Sequence, residues 1–152
     1  MENMEIEKKY LIRSLPGDLD AYAKHKIEQG YLNTSPVIRV RRSDDEYYLT
    51  YKGSGVLSHE EYNLPLTGEA YAHLIEKADG NIISKTRYLI PLDKGLTAEL
   101  DIFDAPFAPL RFVEVEFDSE EDAASFVPPE WFGEEVTFDK NYSNSYLSSK
   151  KF

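Results

Sequence analysis

Charged residues recur at every second position in several short stretches of this chain, and neighbouring charges within a stretch mostly share a sign. Glu5, Glu7 and Lys9 alternate with Ile6 and Tyr10, and Arg39 and Arg41 with Ile38 and Val40. Lys52 follows Tyr51, Glu61 precedes Tyr62, and Lys85 and Arg87 stand before Tyr88 and Ile90. Glu99 and Asp101 flank Leu100, and Glu114 and Glu116 flank Val115. In a strand, residues i and i+2 project from one face about 7 Å apart. A solvated face of a half-buried sheet would explain any single stretch. It does not explain the set, because like charges side by side cost energy unless a counter-charge lies between them. A face built only for solubility would mix signs within each strand. Paired arginines and lysines on some strands suit the oxygens of a polyphosphate, Arg as a planar two-pronged donor and Lys as a point charge. Paired carboxylates on others suit a hard divalent ion such as Mg²⁺ or Mn²⁺. The chemistry this implies is metal-assisted phosphoryl transfer.

Positioning such groups requires strands. Segments of strand character run over Glu5–Ile12, Val37–Arg42, Tyr47–Tyr51, Glu60–Leu66, Ile82–Ile90, Ala98–Phe103 and Phe112–Phe117, and many short strands with few helices indicate an antiparallel sheet or barrel of the α+β class. Three segments carry a helical period. The first places Leu19, Tyr22, Ala23 and Ile27 on one face with Gly30 as its stop. A second runs from Gly68 to Ala78, with Thr67 as N-cap and Gly80 beyond its end. A third opens at Ser119 with Glu120, Glu121 and Asp122 in its first turn and ends before Pro128. A short helix is also expected around Asn144–Ser149. With the sheet closed into a barrel of about eight strands, wide enough for side chains or one small ligand, the helices would cover the apolar outside. The interior would then hold Lys9, Arg39, Arg41, Lys52, Lys85 and Arg87 opposite Glu5, Glu7, Glu61, Glu99, Asp101, Glu114 and Glu116. Charges at that density must be paired, hydrated or ligand-bound.

A chain of 152 residues suits one domain with its own core. The absence of cysteine removes disulfides, thiol nucleophiles and Cys-ligated zinc. A formal net charge of −11 argues against long nucleic acid as a partner. The acidic start lacks a signal-peptide pattern and no apolar run reaches membrane-spanning length, so a cytoplasmic location away from membranes is expected. His25, His59 and His73 show no close metal-ligand spacing and read as surface or packing residues. Gly53-Ser54-Gly55 reads as a turn between strands, too short for a phosphate-binding loop. Apolar outer positions left uncovered by short helices would suit a homodimer face.

Glu5-Ile6-Glu7-Lys8-Lys9 resembles the N-terminal ExExK signature of the CYTH superfamily, the triphosphate tunnel metalloenzymes. It is followed in order by Gln29-Gly30-Tyr31, Arg39-Val40-Arg41, Lys52-Gly53, Lys85-Thr86-Arg87, Glu99-Leu100-Asp101 and Glu114-Val115-Glu116. Glu135-Val136-Thr137, Asp139-Lys140 and Tyr142-Ser143-Asn144 are similar to the family's closing segment. The resemblance covers nearly the whole chain, so residues 1–152 are expected to form a single CYTH domain. It implies an eight-stranded antiparallel tunnel, with helices packed outside, that hydrolyses or rearranges triphosphates with Mg²⁺ or Mn²⁺. By analogy Lys9, Arg39, Arg41, Lys52, Lys85 and Arg87 would hold the triphosphate, and Lys140 would reach the tunnel mouth. Glu5, Glu114 and Glu116 would carry the main metal, with Glu7, Glu61 and Asp101 near a second metal or the attacking water. Glu7 is the candidate for orienting or deprotonating that water, and Lys85 or Arg87 for the leaving side. Tyr31 and Tyr142 enter only through the resemblance. Where the family often has further acidic residues around Glu61, this chain has His59 and Asn63. The activity expected first is hydrolysis of inorganic tripolyphosphate. Adenylyl cyclase, nucleoside or thiamine triphosphatase, and a polyphosphate-binding module without turnover are the competing readings.

Overall fold

The alternation of charged and apolar residues closes on itself in three dimensions. The computed structural model describes residues 4–54 and 57–152. Its elements are β1 (Met4–Ile12), β2 (Ala23–Thr34), β3 (Val37–Ser43), β4 (Glu46–Lys52), β5 (Ser58–Pro65), α1 (Gly68–Ile75), β6 (Asp79–Pro91), β7 (Thr97–Phe103), β8 (Arg111–Glu116), α2 (Glu120–Ser125), β9 (Phe132–Glu135) and α3 (Asn144–Ser149). The strands lie in the order β5-β4-β3-β2-β6-β7-β8-β1-β9, and β5 pairs again with β1. That last pairing closes an eight-stranded antiparallel barrel, and β9 is a ninth strand added along β1 outside the ring. Each end of β1 serves a different neighbour, Met4–Ile6 lying against β5 and Glu7–Leu11 against β8.

Residues directly opposite in an antiparallel ladder share a face, so the register decides what the barrel encloses. Glu5 faces His59, Glu7 faces Glu116, and Lys9 faces Glu114. Arg39 and Arg41 stand opposite Tyr31 and Gln29, Arg87 opposite Asp101, and Lys52 opposite Glu61. The paired charges of β1, β3, β6, β7 and β8, with Lys52 of β4 and Glu61 of β5, therefore turn inward, whereas in β2 the charged Lys24, Lys26 and Glu28 take the outward parity. The apolar parity turns outward, where Tyr10, Ile90, Leu100, Val113, Val115 and Phe117 form one buried cluster with Ala123 of α2 and Phe132 of β9. A second cluster lies within the wall itself: Tyr31, Ile83, Phe103 and Phe112, joined by Phe107 and by Leu147 of α3.

One element departs from its sequence pattern. The segment expected as a helix over Leu19–Gly30 contains only a single 3₁₀ turn, Leu19–Ala21, capped by Asp18, and continues as β2. Its four apolar residues do not share a face. Leu19 and Tyr22 pack on the outer cluster, whereas Ile27 is buried opposite Lys85. Ladders with β3 on one side and β6 on the other override the local period. Gly30 is consequently no helix stop. It lies in mid-strand, where an added Cβ would come within 2.6 Å of Ala78 Cβ and 2.9 Å of Ile75 Cδ1. The other helices start at their capping signals, but α1, expected to reach Ala78, ends at Ile75. Thr67 Oγ1 accepts from the Ala70 N–H, and Ser119 Oγ accepts from the Asp122 N–H. Gly80 falls beyond α1, in the first residues of β6, at φ +70°. A Cβ there would meet the Ser148 carbonyl at 2.0 Å, so glycine lets α3 lie against the barrel. The turn expected at Gly53-Ser54-Gly55 falls partly outside the described residues. Among the described residues, no helix is long and apolar enough to cross a membrane.

Candidate active site

The inward parities enclose a cavity of about 450 Å³. Its basic side is built from β1 (Lys9), β3 (Arg39, Arg41), β4 (Lys52) and β6 (Arg87), and Lys140 approaches from the closing segment with Thr137, Asp139 and Ser143. Arg41 Nε donates to Gln29 Oε1 at 2.7 Å. Arg39 Nε and Gln29 Nε2 are buried and find no hydrogen-bond acceptor among the described residues. Burial, together with Arg39 and Arg87 nearby, pushes the Arg41 guanidinium down to about 9. Donors without acceptors and cations crowded against cations mark a surface complementary to an anion.

The acidic side holds Glu5, Glu7, Glu61, Glu99, Glu114 and Glu116. Burial raises Glu7 well above the ordinary carboxylate range, Glu114 and Glu5 add to the rise, and Lys52 only partly opposes it. Glu116, at the more open rim, is pushed up to about 7 by burial and by Glu5, Glu99 and Glu61. Glu61 is raised by burial and by its contact with Glu5. Two carboxylates go the other way. Burial opposes ionisation of Glu5, but hydrogen bonds with His59 and Glu61 and the charge of Lys52 keep it far below the usual range. Lys9 and Arg87 likewise outweigh burial and hold Glu114 at about 2. Lys52 Nζ links the sides, 2.9 Å from Glu5 Oε1 and 3.8 Å from Glu61 Oε2.

Two expected site residues share the inward parity but stand outside the cavity lining. Lys85 and Asp101 are fully buried, do not line the cavity, and pair at 2.7 Å. Asp101 also holds Arg87, accepting from Nε at 2.8 Å and from Nη2 at 2.9 Å. Asp101 thus answers two cations, and Arg87 bridges it to Glu99 at 3.4 Å and Glu114 at 3.7 Å. Burial pulls Lys85 down to about 7 against the attraction of Asp101. Tyr31 lines the cavity, and Tyr142 contributes its backbone carbonyl, which accepts from Lys9 Nζ at 2.6 Å. The same amino group lies 4.3 Å above the Phe112 ring.

His59, read from sequence as a packing residue, belongs to the site. It lines the cavity with its Nε2 2.5 Å from Glu5 Oε1. Glu5, Glu7 and His59 each offer a ligand atom, all within 4.8 Å of one another. Linear spacing could not reveal this, because β1–β5 pairing brings together residues 54 positions apart. Glu99, which strand parity placed inside, lines the cavity, and Gln29, which entered only through the resemblance, accepts from Arg41 there.

A closed antiparallel barrel whose lumen opposes clustered cations to clustered carboxylates defines the class, a charged-tunnel protein. The CYTH domain family model matches residues 3–148, and the chain belongs to that family. It is 43% identical over 148 residues to an inorganic triphosphatase of Nitrosomonas europaea, covering 95% of this chain and 96% of that one. An inorganic triphosphatase of Acetivibrio thermocellus is 38% identical, with 94% of this chain and 92% of that one covered. Among solved structures, an inorganic triphosphatase superposes with a TM-score of 0.71 at 38% identity, over 97% of this chain and 95% of its own.

Proposed function

We propose that this protein, residues 1–152 acting as one CYTH domain, is a divalent-metal-dependent triphosphatase that hydrolyses inorganic tripolyphosphate to pyrophosphate and phosphate. The observation that carries the reading is the segregation of charge within one cavity, unsatisfied Arg39 and Gln29 donors on one side and the crowded carboxylates Glu5, Glu7, Glu61, Glu99, Glu114 and Glu116 on the other. The names of its two relatives, each covered almost end to end, agree with it.

Lys9, Arg39, Arg41, Lys52 and Arg87 would hold the phosphate oxygens, with Lys140 at the mouth. The carboxylate set fits a hard cation: burial and then crowding by neighbouring carboxylates raise Glu7, Glu61 and Glu116, and a cation would offset both. Glu5, Glu114 and Glu116 would hold one Mg²⁺ or Mn²⁺, with Glu7 and Glu61 near a second ion or the attacking water. Such an ion, when bound, neutralises charge on phosphoryl oxygens. In the reaction, water oxygen attacks the terminal phosphorus in line, and the bond from that phosphorus to the bridging oxygen breaks. The electron pair leaves with pyrophosphate. Glu7, made more basic by burial and by Glu114 and Glu5, takes the water proton. Arg87 offsets charge on the leaving oxygen. Lys85 and Asp101 fix the guanidinium from behind, and in this reading they position Arg87 without touching substrate.

Phosphate release from tripolyphosphate, ATP and thiamine triphosphate, each with Mg²⁺, Mn²⁺ or EDTA, tests the reading. Metal-dependent release that is fastest from tripolyphosphate is expected. Faster release from ATP or thiamine triphosphate would assign a different substrate, and no release from any would leave a polyphosphate binder.

A further inference from the structure

We infer that His59 gives the metal centre a nitrogen ligand and tilts its ion choice toward Mn²⁺ over Mg²⁺. The inference rests on the metal-dependent reading above and adds a ligand to it. His59 is 8% exposed on β5, directly opposite Glu5 in the ladder, so both side chains enter the lumen. The ring makes one polar contact among the described residues, Nε2 to Glu5 Oε1, while the buried Nδ1 has none. A histidine serving only as packing would have both nitrogens satisfied or one open to solvent. Here the single engaged nitrogen points at the acid cluster. Its atom and one oxygen each from Glu5 and Glu7 lie within 4.8 Å of one another, a spread that one ion can span.

The chemistry of the donor set then bears on selectivity. Mg²⁺ keeps oxygen ligands and retains its waters, whereas imidazole suits the first-row transition ions. A donor set that adds the His59 imidazole to Glu5 and its neighbouring carboxylates is a poorer match to Mg²⁺ than carboxylates alone. Before an ion arrives, Nε2 and Lys52 Nζ share Glu5 Oε1, at 2.5 and 2.9 Å, so the carboxylate is held facing the ring.

The test loads the purified full-length protein with Mn²⁺ alone and records electron spin echo modulation, alongside calorimetric titration with Mn²⁺ and with Mg²⁺. Modulation from a directly bound ¹⁴N is expected in the wild type and absent in His59→Gln. The ratio of Mn²⁺ to Mg²⁺ affinity should fall about tenfold in that variant. The ¹⁴N signal needs only the wild type, so it decides the matter even if the variant folds poorly. Mn²⁺ binding without ¹⁴N coupling, or with an unchanged ion ratio in a folded variant, would overturn the role of His59 and leave the metal-dependent reading standing. A wild-type protein that binds neither ion would overturn both.

Discussion

Asp101 grips the Arg87 guanidinium with both oxygens, at 2.8 and 2.9 Å, while Lys85 closes on the same carboxylate at 2.7 Å. One fully buried anion therefore answers two cations. Removing it leaves Lys85 without its ion pair and Arg87 with only the longer contacts to Glu99 at 3.4 Å and Glu114 at 3.7 Å, and breaking a buried pair from one side typically costs about 3–5 kcal/mol. Asp101→Ala is expected to lose stability on that scale in denaturant unfolding. Its Mn²⁺ affinity should fall far less than that of Glu5→Gln. Equal losses of affinity would return Asp101 to the metal centre.

Glu7 and Arg41 make the sharper test of catalysis. Glu7→Gln removes the proton acceptor and should lower kcat roughly 10²–10⁴-fold. Arg41→Ala removes a phosphate donor and should lower kcat about 10²–10³-fold. Both variants should melt close to the wild type, since each relieves crowding of like charge. Wild-type turnover in the two would refute the site assignment.

Gly30 makes a prediction without chemistry. A methyl group 2.6 Å from Ala78 Cβ forces β2 and the end of α1 apart, and overpacking of this kind costs about 1–3 kcal/mol. Gly30→Ala should melt earlier yet keep its rate per folded molecule at low temperature. Loss of activity with an unchanged melting temperature would contradict the packing account.

At high pH the outer wall should weaken first. Burial, with Glu135 nearby, raises the Tyr10 hydroxyl to about 12, above its unfolded value near ~10. A raised pKa means the neutral form is favoured in the fold. Its contribution is complete below pH ~10 and is lost as pH climbs through 12. Tyr10→Phe should flatten the fall of melting temperature between those limits. An identical slope in the variant would exclude Tyr10 as the cause.

Strand parity carried most of the site. Because Arg39, Arg41, Glu114 and Glu116 alternate with apolar residues, their shared inward face could be read before any pairing was known. β2 resisted the same reading because its inward face carries the polar Gln29 and its outward face the glycine that admits α1, so no alternation survives. β9 is four residues long, and its Gly133 lies against the Leu11 backbone, leaving almost no pattern to detect. Depth was also invisible. Lys85 and Arg87 share a parity, yet one is fully buried against Asp101 and the other lines the cavity.

The Phe103 and Phe112 rings lie beneath the Lys85 and Lys9 amino groups, so the inward faces of the strands carry an apolar storey under a charged one. The lower one is a conventional core, continuous with α3 through Leu147. The upper one holds the charged side chains of the cavity. Folding strength and chemistry are thereby housed in different parts of the same strands. Substitutions in the upper storey can redirect what the barrel accepts while the lower storey keeps it assembled, which makes this architecture an evolvable chassis for several phosphate chemistries.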